Sequence, residues 1–161
     1  MNDAGRWLVS QGVADPDKLA VVGWSYGGYA ALQSQVLDPS LYKAVVAIAP
    51  VTDLEQLRKD SMRYTHGNLV DAFIGEGPHV RAGSPQRNVD AFTSPVLLFH
   101  GDLDLNVDVG HSRDMEDRLE DPGKSVKYVE FKDVAHSLDE SKVRFEMLKE
   151  IDFFLSAELK D

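Results

Sequence analysis

The sequence predicts an α/β fold: an open, mainly parallel sheet of about four strands with helices on both faces. Three observations carry this expectation. Short apolar runs recur without polar alternation, the pattern of strands covered on both sides. Helix-length segments separate those runs. The 161 residues suit one domain spanning residues 1–161.

Taken in order, Asp3 to Gly12 reads as the end of a helix with Trp7, Leu8 and Val9 on one face. Gly12 stops it and Asp15-Pro16-Asp17 makes a turn. Leu19 to Trp24 is the first buried strand. Tyr26 to Leu37, small and apolar, is a buried helix halted by Asp38-Pro39. Ala44 to Ala49 is the second strand, ended by Pro50. The long stretch from Val51 to Ser94 is helical in parts and interrupted by Gly75, Gly77, Pro78, Gly83 and Pro85. Pro95 to His100 is the third strand, and an acidic loop then leads to a helix carrying Met115 and Leu119. Val126 to Phe131 alternates apolar with polar residues, which suits a sheet edge. The last helix, Leu138 to Leu159, carries a stripe of Phe145, Leu148, Ile151, Leu155 and Leu159. Strands alternating with helices imply right-handed crossovers.

Composition removes several function classes. Lys and Arg total 17 against 27 for Asp and Glu, a net charge of −10. Such a surface repels phosphates, so neither nucleic acid nor an anionic membrane is expected as partner. The absence of cysteine excludes disulfides, thiolate zinc sites and a cysteine nucleophile. No apolar run approaches the roughly 18–20 residues of a membrane span. Met1 to Gly5 lacks the basic start and apolar centre of a secretory leader, which favours a cytoplasmic setting. No motif calls for a cofactor or metal. Asp102, Asp104, Asn106 and Asp108 mimic the start of an EF-hand, but Val107 and Arg113 stand where its Gly and Glu belong.

The sharpest chemical signal is Gly23-Trp24-Ser25-Tyr26-Gly27, a G-x-S-x-G between a strand and a helix, followed by Gly28. There the serine occupies a strained turn that lifts its hydroxyl above the sheet. A side chain at position 23 or 27 is expected to strike neighbouring backbone. The helix after Ser25 aims its N-terminal N–H groups at the site, where negative charge would develop. A serine needs a base. Of five histidines, His136 lies after the fourth strand and before the final helix, where a base following the order Ser, acid, His belongs. His100 is expected to be buried and bonded to backbone, and His66, His79 and His111 to be surface residues. The acid should lie after the third strand, where Asp102, Asp104 and Asp108 all qualify by spacing. Asp133 is a weaker fourth.

Together these segments resemble the C-terminal catalytic domain of the prolyl oligopeptidase family, the S9 serine peptidases. Gly23-Trp24-Ser25-Tyr26-Gly27-Gly28-Tyr29 is similar to its nucleophile signature, and Ser84-Pro85 with Thr93 to Gly101 is similar to its run into the acid loop. The resemblance selects Asp104, four residues after the histidine of His100-Gly101, as the acid and His136 in Val134-Ala135-His136-Ser137 as the base. It implies that the Tyr26 N–H serves an oxyanion hole, that Asn106 lines the site, and that Phe73-Ile74-Gly75 lines the pocket for the residue before the cleaved bond. The implied substrate is a peptide, with small esters as alternatives.

Matched to that family, Met1 falls inside the helix before the nucleophile strand. The loop that carries a second oxyanion donor, commonly within His-Gly-Gly, has no counterpart here. Two readings follow: a serine hydrolase acting through an acyl-Ser25, or a catalytically idle piece of a larger peptidase that folds or dimerises. In either, the Leu19–Trp24 strand has a bare edge, for which pairing into a homodimer is the expected cover.

Overall fold

The computed structural model describes residues 1–160. Four parallel strands lie in sequence order, β1 (Ala20–Trp24), β2 (Ala44–Ile48), β3 (Val96–Gly101) and β4 (Val126–Phe131). In register, Gly23 lies beside Ala47, Ile48 beside Phe99, and His100 beside Glu130. Helix α1 (Asn2–Ser10) precedes β1, and α2 (Tyr26–Leu37) joins β1 to β2. The β2–β3 connection contains α3 (Leu54–Ser61), α4 (Gly67–Ile74), the single-turn α5 (Pro78–Ala82) and two 3₁₀ turns. Helix α6 (Gly110–Glu120) joins β3 to β4, and α7 (Ser141–Glu158) ends the chain. Among the described residues no helix is long and apolar enough to cross a membrane.

Crossovers that all advance in one direction and share one hand put their helices on the same face. Accordingly Ala31 and Leu32 of α2 and Met115 and Leu119 of α6 pack together against Val45, Ala47 and Leu98. The opposite face, carrying Val46, Ile48, Leu97, Phe99 and Phe131, is covered by Val143 and Met147 of α7. This layering puts helices on both faces of the sheet, as the apolar runs require, and brings the C-terminal ends of all four strands to one rim.

Several local expectations are corrected. The strand Leu19–Trp24 is not covered on both faces: Val21 is buried, but Val22 is 47% exposed and β1 pairs only with β2. In α7 the core-facing stripe is Val143, Met147, Ile151 and Leu155, with Phe154 beside it. Phe145 and Leu148 point outward, because Val143 and Met147, four residues apart, fix the buried side. Leu138 lies before the helix as a fully buried plug with φ 46°. Gly27 is not the tight glycine, since a Cβ there meets nothing within 4 Å. The steric demand falls on Gly23, where a Cβ would collide with the Gly27 carbonyl, and on Gly28, where it would lie 3.1 Å from Ile48 O and Pro50 Cβ.

His111 is not a surface residue. The long β2–β3 connection folds back so that Thr52 meets α6, and the ring is fully buried there. Its Nδ1 accepts the Thr52 N–H at 3.1 Å. Burial pushes its pKa down to about 4, with Asp60, Asp53 and Asp108 pulling upward and His100 downward.

Two predictions follow from these contacts. Gly23→Ala lowers stability by about 2–3 kcal/mol, as overpacking against fixed backbone does, whereas Gly27→Ala in the first turn of α2 is neutral or stabilising. Thermal unfolding of both variants checks the contrast. For His111 the folded value lies below that of a free ring, so the unfolded chain takes the proton first. Stability is full above about pH 6.5 and is lost progressively as pH falls towards about 4, by about 3 kcal/mol at most. His111→Gln flattens that part of the pH dependence of the urea midpoint, and identical slopes in both proteins contradict it.

Candidate active site

Ser25 sits where β1 becomes α2, with φ 57° and ψ −120°, a left-handed setting that a non-glycine residue holds only when its surroundings enforce it. Here the Ser25 N–H donates to Ile48 O at 2.7 Å and its carbonyl accepts from Tyr29 N–H at 3.0 Å. Gly23 and Gly28 let strand and helix approach closely enough for both bonds. Tyr26 opens α2, where the N–H groups of the first turn lack intrahelical acceptors.

The loop after β4 carries His136 and is fastened from three directions. The Leu103 N–H donates to Val134 O at 3.0 Å. Gly101 lies against that same carbonyl so closely that a Cβ would collide with it. The Trp24 indole N–H donates to the His136 carbonyl at 3.2 Å, which ties the histidine to the residue preceding Ser25.

Of the acids left open by spacing, the structure joins one to the imidazole. Asp104 Oδ2 lies 2.6 Å from His136 Nδ1. Asp102 instead accepts from the Val134 N–H at 3.4 Å. Asp108 caps α6 through the Gly110 N–H at 2.9 Å and pairs with Arg63 at 3.4 Å. Asp133 is exposed at a positive-φ turn.

The Asp104 side chain is wholly buried. Burial alone would raise its pKa. Donors from His100, Val107, His136 and Asn106 outweigh that effect and hold it below the ordinary carboxylate value. The Asn106 and Val107 N–H groups reach Oδ1 at 2.8 and 2.9 Å. His100 is buried and meets the Val107 carbonyl at 3.1 Å, as expected. It also lies 3.1 Å from Asp104 Oδ2, a side-chain contact that the sequence did not signal.

Because Nδ1 faces a carboxylate it carries the ring proton, leaving His136 Nε2 as an acceptor. Ser25 Oγ makes no hydrogen bond to a described residue, and a serine awaiting substrate is often loosely paired. The arrangement supplies a serine in a strained turn, an imidazole with a fixed tautomer, a buried carboxylate and a helix N-terminus.

Two cavities flank it. One, of about 500 Å³, is lined mainly by apolar side chains, among them Tyr26, Tyr29, Phe73 and Ile74. The second, of about 440 Å³, is more polar and includes Asp104, Asn106, Asp60 and His111. Leu57 and Val70 border both, so Phe73 and Asn106 belong to different cavities. The sequence reading did not find Tyr29, Leu54, Leu57 or Val70; helical spacing of Leu54 with Leu57, and of Val70 with Phe73 and Ile74, was the available signal. Helix α4 is clamped to α3 by Arg58, which pairs with Asp71 at 2.7 Å and Glu76 at 3.0 Å. Asp53 caps α3 and binds Arg87 at 2.6 Å.

Comparison with known proteins places the chain among peptidases by sequence and fold. The chain is 30% identical to dipeptidyl peptidase family member 2 of Caenorhabditis elegans over 150 residues, 89% of this chain and 17% of that protein. It is 30% identical to dipeptidyl aminopeptidase BIII of Pseudoxanthomonas mexicana over 142 residues, 83% of this chain and 21% of that one. Among solved structures, a puromycin-hydrolyzing peptidase of Mycobacterium tuberculosis superposes with TM-score 0.84 at 27% identity, covering 97% of this chain and 24% of that one. An acylaminoacyl peptidase bound to Z-Gly-Gly-Phe-chloromethyl ketone gives TM-score 0.84 at 25% identity, covering 98% and 26%. This chain therefore spans about a fifth of the curated relatives' length. The model of the prolyl oligopeptidase family matches residues 2–161, and the chain belongs to that family.

Proposed function

We propose that these residues form the catalytic centre of a serine peptidase that cleaves peptide bonds, and small esters, through an acyl-Ser25 intermediate. The observation that carries the reading is the 2.6 Å bond from His136 to Asp104, with the same histidine tied through Trp24 to the Ser25 turn. His136 Nε2 takes the Ser25 hydroxyl proton as Oγ attacks the carbonyl carbon, and Asp104 stabilises the resulting imidazolium. The Tyr26 N–H donates to the oxyanion. Collapse of the tetrahedral species expels the amine or alcohol, which receives the proton from His136. Water then repeats the sequence on the acyl enzyme. The apolar cavity beside Tyr26 accepts the side chain preceding the cleaved bond, with Phe73, 87% exposed, at its mouth. The relatives' names as dipeptidyl and acylaminoacyl peptidases support a peptide substrate.

The test is intact mass after treatment with a fluorophosphonate. A single adduct is expected, absent in Ser25→Ala and formed about 10³–10⁴-fold more slowly in Asp104→Asn, where the imidazole loses its fixed tautomer. An adduct that persists in Ser25→Ala overturns the assignment.

One observation favours a second reading, a folding or dimerising module without activity of its own: β1 pairs on one side only and exposes Val22. On this reading two copies pair along β1 about a two-fold axis. Light scattering at micromolar concentration is expected to give twice the chain mass; a monomer throughout that range removes the pairing.

A further inference from the structure

We propose that His100 is a positioning residue of this centre: a buried second imidazole, oriented by Ser112, that shares Asp104 Oδ2 with His136 and sets that oxygen's place and basicity. The proposal rests on the reading of Asp104 and His136 as acid and base.

The geometry fixes the protons. His100 Nε2 lies 3.1 Å from Asp104 Oδ2 and 3.1 Å from the Val107 carbonyl. Both partners are acceptors, so Nε2 carries the hydrogen. On the other side of the ring, Nδ1 lies 2.7 Å from the hydroxyl of Ser112 on α6, itself fully buried. In the tautomer with its hydrogen on Nε2, Nδ1 accepts a hydrogen bond from the Ser112 O–H. A directed chain results, in which Ser112 donates to His100, His100 donates to Asp104, and His136 donates to the same carboxylate oxygen from outside.

Packing alone does not call for this arrangement. A buried strand end needs only an apolar side chain, and an imidazole there has to be desolvated. Here both ring nitrogens are used, and one points at the carboxylate that orients the base. A donor on Oδ2 stabilises the anion and lowers its basicity. Asp104 therefore holds the His136 imidazolium less tightly, which favours return of the proton to the leaving group. The other titratable groups that sense His100 are His111 on α6 and Glu130, its register neighbour on β4.

The experiment compares His100→Leu, His100→Gln and Ser112→Ala, with Asp104→Asn as reference. Its two readouts are the low-field NMR resonance of the His136 Nδ1 proton and the pH profile of fluorophosphonate labelling. In His100→Leu the resonance moves further downfield, the acid limb of the profile moves to higher pH, and the plateau rate falls about tenfold, the loss of one hydrogen bond to a charged group. Gln, whose amide N–H can stand where Nε2–H stood, restores both readouts. Ser112→Ala, which leaves the ring in place, moves both in the same direction by less.

Unmoved readouts in His100→Leu, or Gln behaving like Leu, overturn the proposal. If the Leu variant fails to fold, an unmoved resonance in Ser112→Ala does so. The resonance is observable whether or not Ser25 reacts. An unchanged resonance in Asp104→Asn overturns the acid–base reading itself, and the role of His100 with it.

Discussion

The site depends on keeping a carboxylate ionised where there is no water. The Asp104 side chain has no exposed surface, and an unaided buried charge would take up a proton instead. Two backbone N–H groups from its own loop and two imidazoles offset that cost. The four donors come from three parts of the molecule: the turn after β3, the end of β3 itself, and the loop after β4. Acidic conditions that protonate this oxygen would loosen all three together. The depressed pKa means that its stabilising contribution is present above the ordinary carboxylate range and is lost as pH falls through the folded value.

Glycine supplies the complementary constraint. Gly23 and Gly28 allow β1 and α2 to meet at Ser25, and Gly101 allows the His136 loop to lie against the end of β3. The three positions lie close in the chain to Ser25, Asp104 and His136 or their loops, where backbone passes closer to its neighbours than a methyl group permits. Substitution at any of them acts on the site through the main chain, without touching those three side chains.

Much of this was legible in the sequence because the relevant signals are local. Apolar runs marked the first three strands and alternation marked the fourth, and the strand–Ser25–helix context marked the turn. Spacing alone left Asp102, Asp104 and Asp108 open and only the family resemblance singled out Asp104, because the partner that distinguishes them, His136, lies on a loop 32 residues away. The burial of His111 and the apolar cavity arise from long-range packing of the stretch between β2 and β3, whose helices are short and whose partners lie across the fold. The second contact of His100 is local, four residues along the chain, but it depends on how the acidic loop turns back on the end of β3. For β1 the reverse applied: its composition reads as a central strand, but its outer edge and part of one face remain open.

The strands stack across the sheet in the order in which they occur along the chain. Each strand after the first therefore follows, along the chain, the neighbour whose edge it pairs with. Ser25, Asp104 and His136 emerge in that same order. Ser25 therefore precedes His136 by 111 residues of elongation. The bond between Asp104 and His136 can form only once β4 has been made and the loop after it has turned back over the strand ends.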